Sequence, residues 1–236
     1  MKRQAILIAA SPASDPAPGV YPDIISWDAF LRSRIGGAWL DEEILNASNH
    51  PGEELCKLIK SVGNVDYSMI IFAGHAKRVR TEMPWTELQI LLGTGESILE
   101  RELNPGTARC SMILDCCRTG SLEERQDFSI KKAAVLENKE ELSIYREAYN
   151  TQLASAEGGL VKVYSTEDGV DAIDENTFSQ HLVLQANIWA DRYHGVLNLR
   201  DGVRLASDSI AKFVPQQKPE YQGGRRLNHF PLAVSL

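Results

Sequence analysis

Runs of consecutive apolar residues, each about as long as one strand, recur along the chain. Continuous runs of this kind are typical of parallel strands that are buried on both faces of a sheet. The run at 85–93 alternates with polar residues and predicts a hairpin strand instead. The predicted buried strands cover residues 4–10, 66–76, 108–117 and 159–166, and a terminal strand covers 229–236.

Segments whose apolar residues recur at helical spacing separate most of these strands. In the segment 23–34, Trp27 and Phe30 fall on one helical face, and Asp23 is the predicted N-cap. Strands that alternate with helices predict an α/β domain with a mostly parallel central sheet flanked by helices. No linker composition divides the chain, so we expect residues 1–236 to form a single domain. Further helices are predicted over 51–62, 139–157, 177–193 (capped by Thr177) and 207–214.

The composition is that of an ordinary globular protein, with 43% hydrophobic and 24% charged residues among 236. A formal net charge of −7 argues against a general nucleic-acid binder, whose surface would be basic. Basic residues are scattered, apart from short clusters at 77–80 and 225–226. We therefore expect no nucleic-acid partner.

The apolar run at the N-terminus is short for a signal peptide and is followed at once by a turn-forming segment, so it is interpreted as a strand. No stretch approaches the roughly 20 apolar residues of a membrane span, and no membrane partner is expected. The cysteines show neither a disulfide framework nor a CxxC pair. These features predict a cytoplasmic protein with free thiols at Cys56, Cys110, Cys116 and Cys117.

The common nucleotide and metal motifs are missing. The sequence contains no GxGxxG, no GxxxxGK[ST], no HExxH and no GxSxG. Its five histidines are far apart, and Cys110, Cys116 and Cys117 lack the spacing of zinc ligands. We therefore expect neither a cofactor nor a bound metal.

Two of the predicted strands end in residues that carry chemistry. One strand closes on His75, and another closes on the adjacent thiols of Cys116 and Cys117. Sites in parallel sheets gather beyond the carboxyl ends of the strands, so the imidazole and a thiol would share one edge if the strands are neighbours. A histidine beside a cysteine lowers the thiol pKa and protonates a leaving amine. Either residue alone is more often structural, but the pair favours catalysis.

The two thiols have different predicted roles. Because side chains alternate along a strand, Cys116 would still face a sheet surface covered by helices. Cys117 would be the first residue beyond the strand. We therefore assign packing to Cys116 and reactivity to Cys117.

These segments resemble the catalytic segments of the caspase-like cysteine peptidases, particularly their metacaspase and bacterial branch. "IIFAGHA" is similar to the family's strand ending in Ser-Gly-His-Gly, with Ala73 and Ala76 in place of the serine and the last glycine. "MILDCCRTG" is similar to its strand ending in Asp-x-Cys-His-Ser-Gly. The similarity matches His75 to the family's histidine, Cys117 to its nucleophile and Asp115 to the aspartate before it.

The resemblance implies a caspase-like three-layer sandwich and an endopeptidase that works through a Cys-His dyad and an acyl-enzyme. It implies an oxyanion site formed by the backbone N–H groups of Ala76 and Cys117. It also places Asp23 and Asp115 at the pocket for the residue before the cleaved bond, where carboxylates favour Arg or Lys. Asp168, on the loop that borders the cleft in the resemblance, is a further candidate for this pocket. The alternative is that Asp23 only caps a helix and Asp115 only ends a strand.

The resemblance also implies how such an enzyme is controlled. Members often carry an activation or autoprocessing segment after the nucleophile, where this chain has Arg125, Lys131 and Lys132. We expect protein or peptide substrates, an activating protease or regulatory partner, and a role in stress, cell death or antiviral defence. Calcium dependence stays open, because the acidic residues lack EF-hand spacing.

Two other functions stay open. A catalytically silent caspase-like scaffold or regulatory module would predict a damaged dyad, whereas His75 and Cys117 are both present. A thiol enzyme on a flavodoxin-like fold would explain Cys117 but leave His75 and the acidic residues without a role.

Overall fold

A computed structural model describes residues 1–80, 86–116, 139–167 and 178–236. The helices in these ranges are α1 (Val20–Arg32), α2 (Gly52–Ser61), α3 (Lys139–Ser155), α4 (Phe178–Ala190) and α5 (Leu199–Ile210). The strands are β1 (Arg3–Ala10), β2 (Ile44–Asn46), β3 (Tyr67–Gly74), β4 (Ala76–Arg80), β5 (Thr86–Leu91), β6 (Ser97–Leu99), β7 (Arg109–Asp115), β8 (Gly159–Tyr164), β9 (Gly195–Asn198), β10 (Glu220–Gln222) and β11 (Pro231–Ser235).

The central sheet has the strand order β10-β8-β7-β3-β1-β2. All neighbours in it are parallel except β10, which runs antiparallel to β8 at one edge. The long inner strands correspond to the continuous apolar runs in the sequence. These runs are apolar throughout because both faces of each inner strand are buried. The prediction of a mostly parallel sheet is confirmed.

Two separate apolar cores cover the two faces of this sheet. Alternate residues of β1 and β3, such as Leu7 and Ile71, pack with α1, α3, α4 and α5. The intervening residues, such as Ile8 and Phe72, pack with α2 and with the small antiparallel sheet β4-β5-β6. The result is three layers, with the sheet in the middle, as period-two alternation along each strand requires.

The predicted start of the first helix is wrong. Helix α1 begins at Val20 with Gly19 at the N-cap, so Asp23 lies within the first turn and is not the cap. A proline is tolerated in the first turn, where its missing N–H is not needed, and Pro22 therefore does not delay the helix. Asp23 still places a carboxylate near the positive end of the helix dipole. The predicted cap Thr177 lies outside the described residues.

The helix predicted over 207–214 is displaced. Helix α5 begins at Leu199, where the side chain of Asn198 accepts a hydrogen bond from the Asp201 N–H at 2.9 Å, and it ends at Ile210. The capping residue lies nine residues before the predicted start, so the apolar spacing near the end of the helix was misleading by itself. The hairpin predicted from residues 85–93 is confirmed as β5, which pairs with β4 on one side and β6 on the other.

No helix among the described residues is long and apolar enough to cross a membrane.

Candidate active site

His75 directly follows the C-terminal end of β3 and is 7% exposed. The residue before it, Gly74, pairs with Ala10 at the end of β1. A Cβ added at Gly74 would lie 2.8 Å from both the Cβ and the carbonyl oxygen of Ala10. Only glycine fits this close approach, and it holds the chain at His75 against the end of β1.

Strands β3 and β7 are parallel neighbours, with Ala73 opposite Asp115. The histidine strand and the cysteine strand are therefore neighbours, which is the condition under which the sequence placed the imidazole and a thiol at one edge. Cys116 follows β7 directly, is 1% exposed and packs in the core on the α2 side, as its predicted packing role requires. Cys117, the predicted nucleophile, lies outside the described residues.

Ser165 fixes the backbone of Cys116 from the neighbouring strand. Its Oγ accepts a hydrogen bond from the Cys116 N–H at 3.1 Å and donates one to the Cys116 carbonyl at 3.0 Å. The Ser165 carbonyl in turn accepts a hydrogen bond from the side-chain amide of Gln217 at 3.1 Å. Sequence analysis missed Ser165; the available signal was a hydroxyl residue at the end of an apolar strand.

Asp15 supplies a carboxylate next to the histidine. Its Oδ2 lies 3.3 Å from the His75 Nε2, and the two side chains are 25% and 9% exposed. Asp15 comes from the loop after β1, which the sequence shows only as a proline-rich turn. No local pattern connects this loop with His75, so the contact depends on the β1–β3 pairing.

Ala76, the predicted oxyanion residue, begins β4. The His75 carbonyl accepts a hydrogen bond from the Leu91 N–H at 3.0 Å, and Ala76 lies opposite Ile90. In an antiparallel ladder this pattern makes Ala76 and Ile90 a pair that exchanges no hydrogen bonds. The Ala76 N–H therefore does not point towards β5.

The two described pocket aspartates both contact the first turn of α4. The Asp115 Oδ2 accepts a hydrogen bond from the Ser179 N–H at 2.8 Å, and the Asp23 Oδ1 accepts one from the Gln180 side chain at 2.9 Å. Asp23 is 1% exposed and Asp115 is 7% exposed. The two aspartates thus contact consecutive residues of α4, and the contact of Asp115 is a structural one at a helix terminus.

His181 follows Gln180 in the first turn of α4 and is also buried. Burial lowers the pKa of His181, and the negative charge of Asp115 opposes that shift only in part. The His181 Nδ1 lies 3.0 Å from the Ser209 Oγ. This environment fits a structural histidine.

Four other predicted residues lie outside the described part of the chain. They are the pocket candidate Asp168 and the autoprocessing candidates Arg125, Lys131 and Lys132.

The layered sheet, its strand order and its flanking helices define a caspase-like fold, which confirms the predicted fold class. Two solved structures share it. The chain aligns with the crystal structure of protein GSU0716 from Geobacter sulfurreducens at a TM-score of 0.59 and 12% identity, covering 100% of both chains. It aligns with Caspase-1 from Spodoptera frugiperda at a TM-score of 0.59 and 12% identity, covering 95% of this chain and 88% of the other.

At 12% identity these likenesses concern the fold and do not distinguish the metacaspase and bacterial branch. No protein-family model matches the sequence, and no curated protein matches it.

Proposed function

We propose that the protein is a cysteine endopeptidase in which Cys117 is the nucleophile and His75 moves the proton. One observation carries this proposal: β3 and β7 are adjacent and parallel, with Ala73 opposite Asp115. In sequence, His75 lies two residues beyond one member of that pair and Cys117 lies two residues beyond the other. Equal offsets from a parallel register favour a thiol and an imidazole at one edge of the sheet.

The proposed reaction has two halves. The Cys117 thiol gives its proton to His75, and the thiolate attacks the carbonyl carbon of the scissile bond. The N–H groups of Ala76 and Cys117 stabilise the oxyanion. The protonated His75 then donates its proton to the leaving amine, which leaves an acyl-enzyme. Water, deprotonated by His75, releases the carboxylic acid and regenerates the thiol.

We infer a preference for Arg or Lys before the cleaved bond. The support is the convergence of Asp23 and Asp115 on the first turn of α4, where both carboxylates are largely shielded from water. A guanidinium group pairs with carboxylates through two parallel hydrogen bonds, so Arg is the better partner of the two. Asp168 is proposed as a third member of this pocket.

Regulation is proposed on sequence grounds. Self-cleavage after Arg125, Lys131 or Lys132 would cut the chain shortly after the nucleophile, and mass spectrometry of the active protein tests it. An activating protease or regulatory partner, and a cytoplasmic role in stress, cell death or antiviral defence, belong to the same proposal.

A covalent probe tests the proposed activity directly. We expect a peptide electrophile with Arg at its terminal position to label the purified protein at Cys117, as located by peptide mass mapping. Labelling and hydrolysis of Arg peptides should fall by at least about 10³-fold in Cys117→Ala and His75→Ala. Cys56→Ala, which removes a partly buried thiol on α2, is the matched control and should label normally.

Folded wild-type protein that neither reacts with the probe nor cleaves peptides would favour a catalytically silent caspase-like module. A substrate series with Arg, Lys, Leu and Asp before the bond tests specificity separately. Preference for Asp would refute the acidic pocket without affecting the assignment of Cys117.

A further inference from the structure

We propose that Asp15 is a positioning residue for the dyad: its carboxylate orients the His75 ring and stabilises the imidazolium that forms when Cys117 loses its proton. This inference rests on the proposed function and extends it to a third side chain. It is carried by the distance of 3.3 Å between the Asp15 Oδ2 and the His75 Nε2, which is an ion-pair contact without the geometry of a hydrogen bond.

Burial makes this contact energetically meaningful. The His75 side chain is 9% exposed and that of Asp15 is 25% exposed, so both polar groups have given up much of their water. A carboxylate that is largely removed from water is costly unless a donor or a positive charge compensates it. The imidazole of His75 is such a group, and the attraction is strongest when the ring is protonated.

The loop that carries Asp15 is held on both sides of the residue. The Asp15 N–H donates to the Pro12 carbonyl at 3.0 Å, and the Ala17 N–H donates to the Ser11 Oγ at 2.7 Å. Pro16 follows Asp15 directly and restricts its backbone to extended conformations. The carboxylate is therefore placed before any substrate arrives, which is the property required of a group that orients a catalytic histidine.

The central sheet fixes the position of His75. Gly74 and Ala10 are register partners, and the Asp15 loop leaves the sheet just after Ala10. Both members of the contact thus emerge from adjacent strand ends whose spacing is fixed by backbone hydrogen bonds. Loop and strand together set the distance between Asp15 and His75.

The chemical consequence concerns which ring nitrogen carries the proton. Through its charge, a carboxylate near Nε2 favours the tautomer with hydrogen on Nε2, which leaves the lone pair of Nδ1 to accept the thiol proton. When the Cys117 S–H bond breaks, its proton goes to Nδ1 and the electron pair stays on sulfur. The Asp15 carboxylate lowers the energy of the ion pair so formed.

Two other charged residues near His75, Lys77 and Asp115, differ from Asp15 in their surroundings. Lys77, two residues along on β4, is exposed to solvent. Asp115, opposite Ala73 on β7, is engaged by the N–H of Ser179. Asp15 is therefore the carboxylate to remove in a test.

The test compares Asp15→Asn, Asp15→Glu and the control Asp208→Asn. Asp208 lies on α5 with its side chain 68% exposed, so its replacement removes the same charge without touching the site. In Asp15→Asn we expect kcat to fall at least about tenfold with KM little changed, since the group acts on proton transfer and not on binding. The acid limb of the pH profile of kcat/KM, which reports the ionisation of the base His75, should move to lower pH, because the imidazolium loses a stabilising charge. Asp15→Glu should restore part of the rate.

Alkylation of Cys117 by iodoacetamide, followed by peptide mass mapping, gives a readout that needs no peptidase activity. Asp15→Asn should be alkylated more slowly than wild type near neutral pH and at the same rate above about pH 9, where the thiol ionises without help. Unchanged pH profiles in Asp15→Asn would overturn the role of Asp15, whatever its effect on protein yield. A wild-type protein that cleaves no peptide, yet shows the alkylation shift, would sink the proposed peptidase function and leave the coupling of Asp15, His75 and Cys117 standing.

Discussion

Ser165 and Cys116 are joined by two hydrogen bonds, because one hydroxyl group both accepts from the Cys116 N–H and donates to the Cys116 carbonyl. Both residues are almost completely buried. A parallel neighbour thus completes the backbone hydrogen bonding of β7 at the last described residue before Cys117. The proposed nucleophile is therefore attached to a segment whose backbone is fixed in place.

Replacing Ser165 should disturb the site more than the core. In Ser165→Ala the N–H and carbonyl of Cys116 lose their hydrogen bonds to the Ser165 hydroxyl, at a cost of about 1–3 kcal/mol in the free energy of unfolding. We expect probe labelling of Cys117 to slow by about tenfold or more, because the backbone before the nucleophile is no longer fixed. Ser155→Ala, at an exposed helix end, is the control for removing a hydroxyl. Equal labelling rates in the two variants would refute this function for Ser165.

The close approach of β1 and β3 below His75 gives a second prediction. Gly74→Ala places a methyl group 2.8 Å from the Cβ and the carbonyl oxygen of Ala10, so the strand ends must separate. Overpacking of this kind lowers the free energy of unfolding by about 1–3 kcal/mol, which chemical denaturation measures. The double variant Ala10→Gly, Gly74→Ala should recover part of the loss, since one of three close contacts disappears and those with the Ala10 carbonyl oxygen and the Phe72 ring remain. A double variant no more stable than Gly74→Ala alone would show that the Ala10 Cβ is not the obstacle.

The sequence predicts the parts of the fold that burial dictates. Strands such as β3 and β7 must be apolar on both sides, so their runs, and the residues that end them, could be read directly. The position of His75 at the C-terminal edge of the sheet could be predicted because it directly follows a strand. Asp15 and Ser165 could not be found in this way, because each reaches the site through a strand pairing that no local pattern encodes. The start of α5 was missed because its signal is a single capping residue, Asn198, and not an apolar repeat.

Asp115 has one observed contact, with the Ser179 N–H, and one proposed role in the substrate pocket, and a single substitution can separate the two. Asp115→Asn keeps a side-chain oxygen for the Ser179 N–H, so the stability should change by less than about 1 kcal/mol. It removes the negative charge, so the preference for Arg over Leu substrates should fall by about tenfold or more, chiefly through KM. Asp191→Asn, at the exposed end of α4, is the charge-matched control. A full preference for Arg in Asp115→Asn would leave Asp115 as a helix cap only.

The Glu43 carboxylate binds one arginine of β1 and one of α3, and its ionisation makes the free energy of unfolding depend on pH. Its carboxylate contacts Arg3 at 3.2 Å and Arg146 at 2.6 and 2.5 Å, and it accepts the Leu40 N–H at 2.9 Å. Burial alone would raise the pKa of Glu43, but these hydrogen bonds and the charge of Arg3 outweigh it, so the pKa is lowered. Glu43→Gln leaves the buried Arg3 without its counter-charge and should cost about 3 kcal/mol at pH 7.

The loss of unfolding free energy in Glu43→Gln should become smaller as the pH falls. A carboxylate whose pKa is lower in the folded state than in the unfolded state contributes its full stability above the unfolded value, about 4.3. The contribution is lost as the pH falls through the lowered pKa of the folded state. Urea unfolding at several pH values should therefore show wild type and Glu43→Gln converging on acidification, while the exposed neighbour variant Glu42→Gln tracks wild type throughout. A difference between wild type and Glu43→Gln that stays constant from pH 7 to about pH 3 would show that the loss arises from packing, and not from the ionised carboxylate.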